Sequence, residues 1–217
     1  MRADPSPALD DEYTRLSNGG DILITRADVL GLGRDPSTRA RASPSLLSAM
    51  NLPPSSELYF AQLDGFHQIH CLDMLRRHIY WDVYYAPKYG RYDSHTPHEL
   101  HWTHVSHCLN VLFENLKCNA DANIITSVWM EGQGYPYPDF DVVKKCGDFE
   151  GLLDWSLERS VPESLVEMMR MPVLGEEGWE RVVKAPEELY RAKGVEFPEE
   201  YVVDHEVGER EFWYSSW

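Results

Sequence analysis

The chain has 217 residues, 43% of them hydrophobic and 12% aromatic, which is enough apolar material to close the core of one domain over 1–217. With 36 acids against 20 bases it carries a formal charge of −16. That balance argues against a nucleic-acid partner and against an anionic membrane surface, since both need a basic face. No apolar run approaches the roughly eighteen residues of a membrane span, and residues 1–7 lack the apolar core of a signal peptide.

In chain order, residues 8–17 read as a short helix, with Leu9, Tyr13 and Leu16 on one side. The Gly19-Gly20 break leads into an apolar strand-like piece, Ile22-Leu23-Ile24. Thr25 followed by Asp28 marks a helix start. Residues 33–56 are rich in Ser, Pro and Arg and read as a long ordered loop or mobile segment. A strong helix is expected from Phe66 to Tyr84, its stripe running Phe66, Ile69, Leu72, Leu75 or Arg76, Ile79 and Val83 until Pro87 ends it. A second opens at Thr96 as N-cap with Pro97 behind it and Glu99 three on, and continues through Leu100, Leu109, Leu112 and Leu116 to about Lys117. Residues 132–138 must turn. Asp148 caps a helix through Trp155, and Ser160 with Glu163 forms a capping box before Leu165–Arg170. Pro186 opens a helix over 186–193. The tail 197–217, with Phe212, Trp213, Tyr214 and Trp217, reads as an aromatic docking end. The fold class is mainly α, a compact helical domain with little strand and long irregular loops.

Two copies of one five-residue word sit on the two strong helices: His67-Gln68-Ile69-His70-Cys71 and His104-Val105-Ser106-His107-Cys108. Positions i, i+3 and i+4 share a helix face, so each word presents two imidazoles and a thiol together. Packed against one another, the two helices would offer four nitrogens and two sulfurs, an inventory suited to a borderline or soft metal such as copper or zinc. The duplication argues against chance surface histidines. Whether the four imidazoles share one ion or hold two is open in the sequence.

Three-residue steps drift around a helix, so the series His95, His98, His101, His104, His107 cannot converge as a whole. His101, one step from His104, is a candidate third ligand or proton shuttle, and His95 reads as solvent-facing. His78 shares the face of His67 but lies too far along the helix for the same ion. Asp64 and Asp73 flank the first word and are candidates to orient an imidazole, against the plainer reading of solvated helix charges. Cys71 and Cys108 can ligate a metal or bond each other, while Cys118 and Cys146 suit a structural bridge. Two bridges, Cys71–Cys108 and Cys118–Cys146, are favoured over thiolate ligands in an oxidising compartment. Trp102, Trp129, Tyr135 and Tyr137 are candidate pocket walls, against core packing for each alone.

The segments 67–76 (His-Gln-Ile-His-Cys-Leu-Asp-Met-Leu-Arg), 104–109 (His-Val-Ser-His-Cys-Leu), Cys118-Asn119-Ala120-Asp121 and Cys146-Gly147-Asp148-Phe149 leading to Trp155, in this order, resemble the UstYa family of fungal mycotoxin-biosynthesis proteins. The early stretch Ser6–Leu32 is also similar. The resemblance implies that His67, His70, His104 and His107, with Cys71 and Cys108, are active-site residues. It implies copper dependence and oxidative cyclisation, hydroxylation or chlorination at carbon, on a small-molecule or ribosomal-peptide natural product with dioxygen. It also implies a secretory-pathway location behind an N-terminal membrane anchor that this chain lacks; as a native full length the chain would be cytosolic. Two positions depart from the pattern: Lys144 stands where a histidine often precedes the late cysteine, and Leu112-Phe113-Glu114 replaces Leu-Arg-Gln after the second word.

The leading expectation is therefore a copper- and oxygen-dependent tailoring oxidoreductase. The alternatives are a non-redox cyclase or isomerase on the same scaffold, or a zinc-stabilised accessory protein without activity of its own. Pairing into a homodimer, or a heterodimer with a family paralogue, is a further expectation.

Overall fold

A computed structural model describes residues 4–92 and 99–169. The architecture is mainly α with two small antiparallel sheets: α1 (Pro7–Ser17), β1 (Ile22–Thr25), α2 (Arg26–Gly31), α3 (Pro44–Ala49), β2 (Leu58–Ala61), α4 (Asp64–Ile79), α5 (Trp81–Tyr84), α6 (Ala86–Tyr89), α7 (Glu99–Cys118), β3 (Thr126–Val128), β4 (Tyr137–Asp139) and α8 (Phe149–Leu157). The described residues fall into two compact units. One is drawn from 1–17 and 65–155, the other from 18–64 and 156–217. The Thr96-Pro97 entrance, His95, His98, the helix expected at 186–193 and the tail 197–217 lie outside the described residues.

In the second unit, β1 pairs with β2 in the register Ile22↔Ala61 to Thr25↔Leu58. Thr25 caps α2 as expected: its hydroxyl accepts from the Asp28 amide while the Asp28 carboxylate accepts from the Thr25 amide. Residues 33–56 are not a plain loop. They carry a 3-10 turn, Pro36–Thr38, and then α3, whose Leu46 and Leu47 are fully buried. Ser43 caps α3, Pro44 takes its first position, and Asn51 at φ 56 turns the chain out. The Leu52 amide then donates to the Leu47 carbonyl and the Asn51 amide to the Ser48 carbonyl, satisfying the helix end. The helix is only six residues long, too short for a periodic pattern, and so the Ser-Pro composition concealed it. Its leucines form a core with Ala42 and Val161, over which Leu58, Phe60 and Leu165 pack.

Gly20 is required where it stands. Its φ is +72, and a Cβ there would meet the Ser160 Cβ at 2.5 Å. Ser160 does not cap a helix; its hydroxyl donates to the Leu157 carbonyl, and its backbone bridges to Ile22. Glu163–Met169 accordingly forms a 3-10 segment rather than the expected helix.

In the first unit, α4 is held from two sides. Arg76, 4% exposed, donates to Asp73, to the Tyr84 hydroxyl and to Asp10 of α1. Asp10 also accepts from Tyr84, at 2.6 Å. Phe66 meets Phe149 edge-on, with ring centres 5.6 Å apart, which ties α4 to α8. Asp148 caps α8 by accepting from the Gly151 amide. α4 breaks at Tyr80, so the single helix expected from Phe66 to Tyr84 is two pieces.

The expected apolar stripes are half wrong. Leu72, Ile79 and Val83, and Leu109 and Leu116 on α7, are exposed. The faces that meet instead bear Cys71 and Met74 from α4 and Val105 and Cys108 from α7, with Leu75, Val111 and Leu112 packed around them. Imidazole and thiol share the convergent face with these apolar side chains, while Leu72, Leu109 and Leu116 turn outward.

If α3 is a core element, Leu46→Ala should cost about 3 kcal/mol, within the range of large-to-small core substitutions. Urea denaturation checks this; a loss under about 0.5 kcal/mol, typical of a surface position, would contradict it.

Candidate functional site

The two histidine words lie on α4 and α7, and their rings come together. His67 meets His107 with ring centres 5.5 Å apart, and His70 meets His104 at 5.5 Å. Along each helix the centres are 6.2 Å apart for His67 and His70 and 6.5 Å for His104 and His107. Rising numbers on α4 meet falling numbers on α7, so the helices run antiparallel and the four imidazoles mark the corners of a rectangle. Interplanar angles of 15° to 36° keep the ring planes roughly parallel.

The rectangle has a dry end and a wet end. His104 is buried at 9% exposure, His67 and His70 are half-buried, and His107 is exposed. At the dry end, His70 Nε2 and both ring nitrogens of His104 are buried without a hydrogen-bond partner. A buried polar atom left unsatisfied costs about 1–3 kcal/mol, so these nitrogens call for a ligand. Burial lowers the pKa of His104 to about 4, with its histidine neighbours adding to the effect; burial lowers that of His70 as well. At neutral pH both rings are therefore uncharged and each keeps a nitrogen lone pair, the state in which imidazole binds metal. The donors stand as facing pairs. Among the described residues, no group of three or more His, Cys, Asp or Glu is gathered into a closed ion-holding set.

Behind the imidazoles, Cys71 and Cys108 are fully buried and hydrogen-bond each other. That bond splits the pair: Cys71, accepting it, is held below the ordinary thiol range, and Cys108, donating it, is pushed above. Cys71 Sγ also lies 3.7 Å from His67 Nε2. All four cysteines are thiols in the structure, Cys118 and Cys146 exposed. Lys144 pairs with Asp121 at 3.6 Å, bringing the stretches that carry Cys118 and Cys146 alongside each other.

His101 does not join the rectangle. Its Nε2 lies 3.1 Å from His78 Nδ1, a second cross-helix imidazole pair. Trp81, Tyr85 and Trp102 stand around that pair with ring centres 4.9 to 6.0 Å away. His101, expected as a further ligand or proton shuttle for the four-histidine set, is engaged by His78, which the sequence set aside on distance. Asp73 is taken up by Arg76 and Arg77 at 2.7 and 2.6 Å rather than by an imidazole. Among the pocket candidates, Trp102 packs edge-on against His78, whereas Trp129 and Tyr135 are 80% and 84% exposed and Tyr137 is exposed on β4. The pairing of Arg76 and Arg77 with an acid nearby on their own helix is what the sequence leads one to expect; the His78–His101 pair and the reach of Arg76 to Asp10 left no signal, because each joins residues on different elements.

Burial also sets a pH dependence. His101, like His104, is lowered to about 4 from the ordinary value of 6.5, by burial first and its histidine neighbours second. The unfolded chain thus binds protons that the folded one refuses between these values, and stability is lost as pH falls from about 6.5 toward 4. Each tenfold difference in proton affinity between the folded and unfolded chain is worth about 1.4 kcal/mol for each group. The metal-free protein should therefore lose several kcal/mol over that window. Urea unfolding at stepped pH reads this out; a midpoint that does not change between about pH 7 and pH 4.5 would contradict the burial of these rings.

The sequence profile described as "Mycotoxin biosynthesis protein UstYa" matches residues 1–159. The UstYa family oxidase aprY of Aspergillus flavus is 37% identical over 172 residues, covering 79% of this chain and 50% of the relative. The UstYa family oxidase phomYc of Diaporthe leptostromiformis is 23% identical over 162 residues, 74% of this chain and 59% of that protein. The oxidase ustYa of Aspergillus flavus is 30% identical over 103 residues, 44% of this chain and 40% of the relative. The chain spans about half the length of these relatives. No solved structure matches. With both histidine words inside the matched region, and the match covering most of its length, the chain belongs to the UstYa family.

Proposed function

We propose that this chain is a copper-dependent oxidase that tailors a natural product, small molecule or peptide, by ring closure, hydroxylation or chlorination at carbon. The observation that carries the reading is the pair of cross-helix imidazole couples, His67 with His107 and His70 with His104. The names of its relatives as oxidases support the redox assignment.

The donor set fits such an ion. Imidazole suits copper as well as zinc, and three of the buried ring nitrogens have no protein partner. A metal–nitrogen bond of about 2.0 Å places a ring centre about 3.2 Å from the ion, so two rings on one ion have centres no more than about 6.3 Å apart. The cross-helix spacings of 5.5 Å lie well inside that limit, whereas the along-helix spacings of 6.2 and 6.5 Å lie at its edge. This supports a cross-helix couple as the ligand unit, and with two couples, room for two ions. Bound there, copper would supply one-electron chemistry with dioxygen.

The chain's own residues supply the rest. His70 and His104 stay neutral by burial, so they offer lone pairs at neutral pH. The aromatic group around His78 and the thiol layer behind the rings exclude water from the dry end. His107, exposed, leaves the other end as the side from which a substrate reaches the rings. Lys144 in place of a late histidine leaves the four imidazoles as the principal donors.

His70→Ala and His107→Ala should each lower metal-dependent turnover by more than about 100-fold, since even outer partners of metal ligands are worth about 10–100-fold. Both variants should keep the wild-type far-ultraviolet circular dichroism. Product formation assayed with and without dioxygen, on copper- and zinc-loaded protein, checks the class of chemistry. Equal turnover without oxygen would replace the oxidase by a non-redox cyclase. Folding with zinc but no product under any condition would make the protein an accessory partner.

A further inference from the structure

The thiols of Cys71 and Cys108 are the one element of the two words that the imidazole site leaves unused. They occupy the same place in each word, directly after its last histidine. They sit on facing antiparallel helices, touch one another and are fully buried in one cluster with Met74 and Val105. Neither can exchange partners with Cys118 or Cys146 without unfolding, because those two are exposed. Cys71 Sγ is also the neighbour of His67 Nε2, at 3.7 Å.

We infer that Cys71 and Cys108 form a redox staple that joins α4 to α7 and sets how His67 is presented. In the thiol form, Cys71 occupies the flank of His67 Nε2. In the bridged form, that sulfur is bound to Cys108, and the imidazole is released toward His107. The step balances by thiol–disulfide exchange with a small disulfide such as oxidised glutathione: two S–H bonds break, one S–S bond forms in the protein, and the two protons and two electrons leave with two glutathione thiols. Burial gives the staple its timing. An oxidant reaches these sulfurs while the helices are still coming together, and once they are packed the bridge is shielded from reductant.

The inference does not rest on copper or on oxidase activity, and its test separates from theirs. Wild-type protein is unfolded in reductant, then refolded with reduced and oxidised glutathione, or with reduced glutathione alone. Intact mass, alkylation and a non-reducing peptide map locate the bridge, and calorimetry with Zn²⁺ as probe reads the imidazoles. The expected result is a single Cys71–Cys108 linkage, a raised thermal midpoint and Zn²⁺ affinity higher by about tenfold. A Cys71→Ala/Cys108→Ala variant should show none of these redox responses. The inference is overturned if both sulfurs remain alkylatable after oxidative refolding or pair with Cys118 or Cys146. It is equally overturned if the bridge forms but leaves Zn²⁺ affinity and the midpoint unchanged. Loss of Zn²⁺ binding in the reduced Cys71→Ala/Cys108→Ala variant, with its fold intact, would make them ligands and overturn it too.

Discussion

Polar groups are buried at a helix–helix seam where leucine would normally lie. α4 and α7 close on one another through imidazoles and thiols, and three ring nitrogens at the dry end find no protein partner. Desolvating such atoms is unfavourable; the apolar cluster of Met74, Val105, Leu75, Val111 and Leu112 and the Asn115–Gln68 hydrogen bond work against that cost at the seam. The contacts around the seam add to them. Arg76, ion-paired to Asp10 and Asp73, ties α1 to α4, and the Phe66–Phe149 edge contact brings α8 against the same helix.

That constraint explains the outward leucines. On an amphipathic helix the apolar side normally faces inward. Here Leu72, Ile79, Leu109 and Leu116 are exposed because the inward positions belong to the histidine words. The fold departs from the local rule where the chemistry is concentrated, the expected pattern for a functional site.

The sequence carried the site further than it carried the fold around it. The two words, their helical spacing and their meeting across two helices were legible because i, i+3 and i+4 positions share a face whatever the tertiary context. Thr25 with Asp28 and Asp148 ahead of α8 were legible because caps are local chemistry. Three things were not. Leu46 and Leu47 sit on a helix too short to show a period. β2 is four residues long and reads as strand only beside β1. His78 reaches His101 across two helices, a pairing that distance along α4 made look irrelevant. In each case the deciding contact lies far along the chain.

Ions at this seam are held, on the proposed reading, by imidazole couples and not by the thiols behind them. X-ray absorption at the copper edge of the loaded protein tests this most directly. The expected spectrum has a first shell of nitrogen with the outer-shell signature of imidazole rings, about two per ion, and no sulfur. A first shell containing sulfur, or one without imidazole, would contradict it.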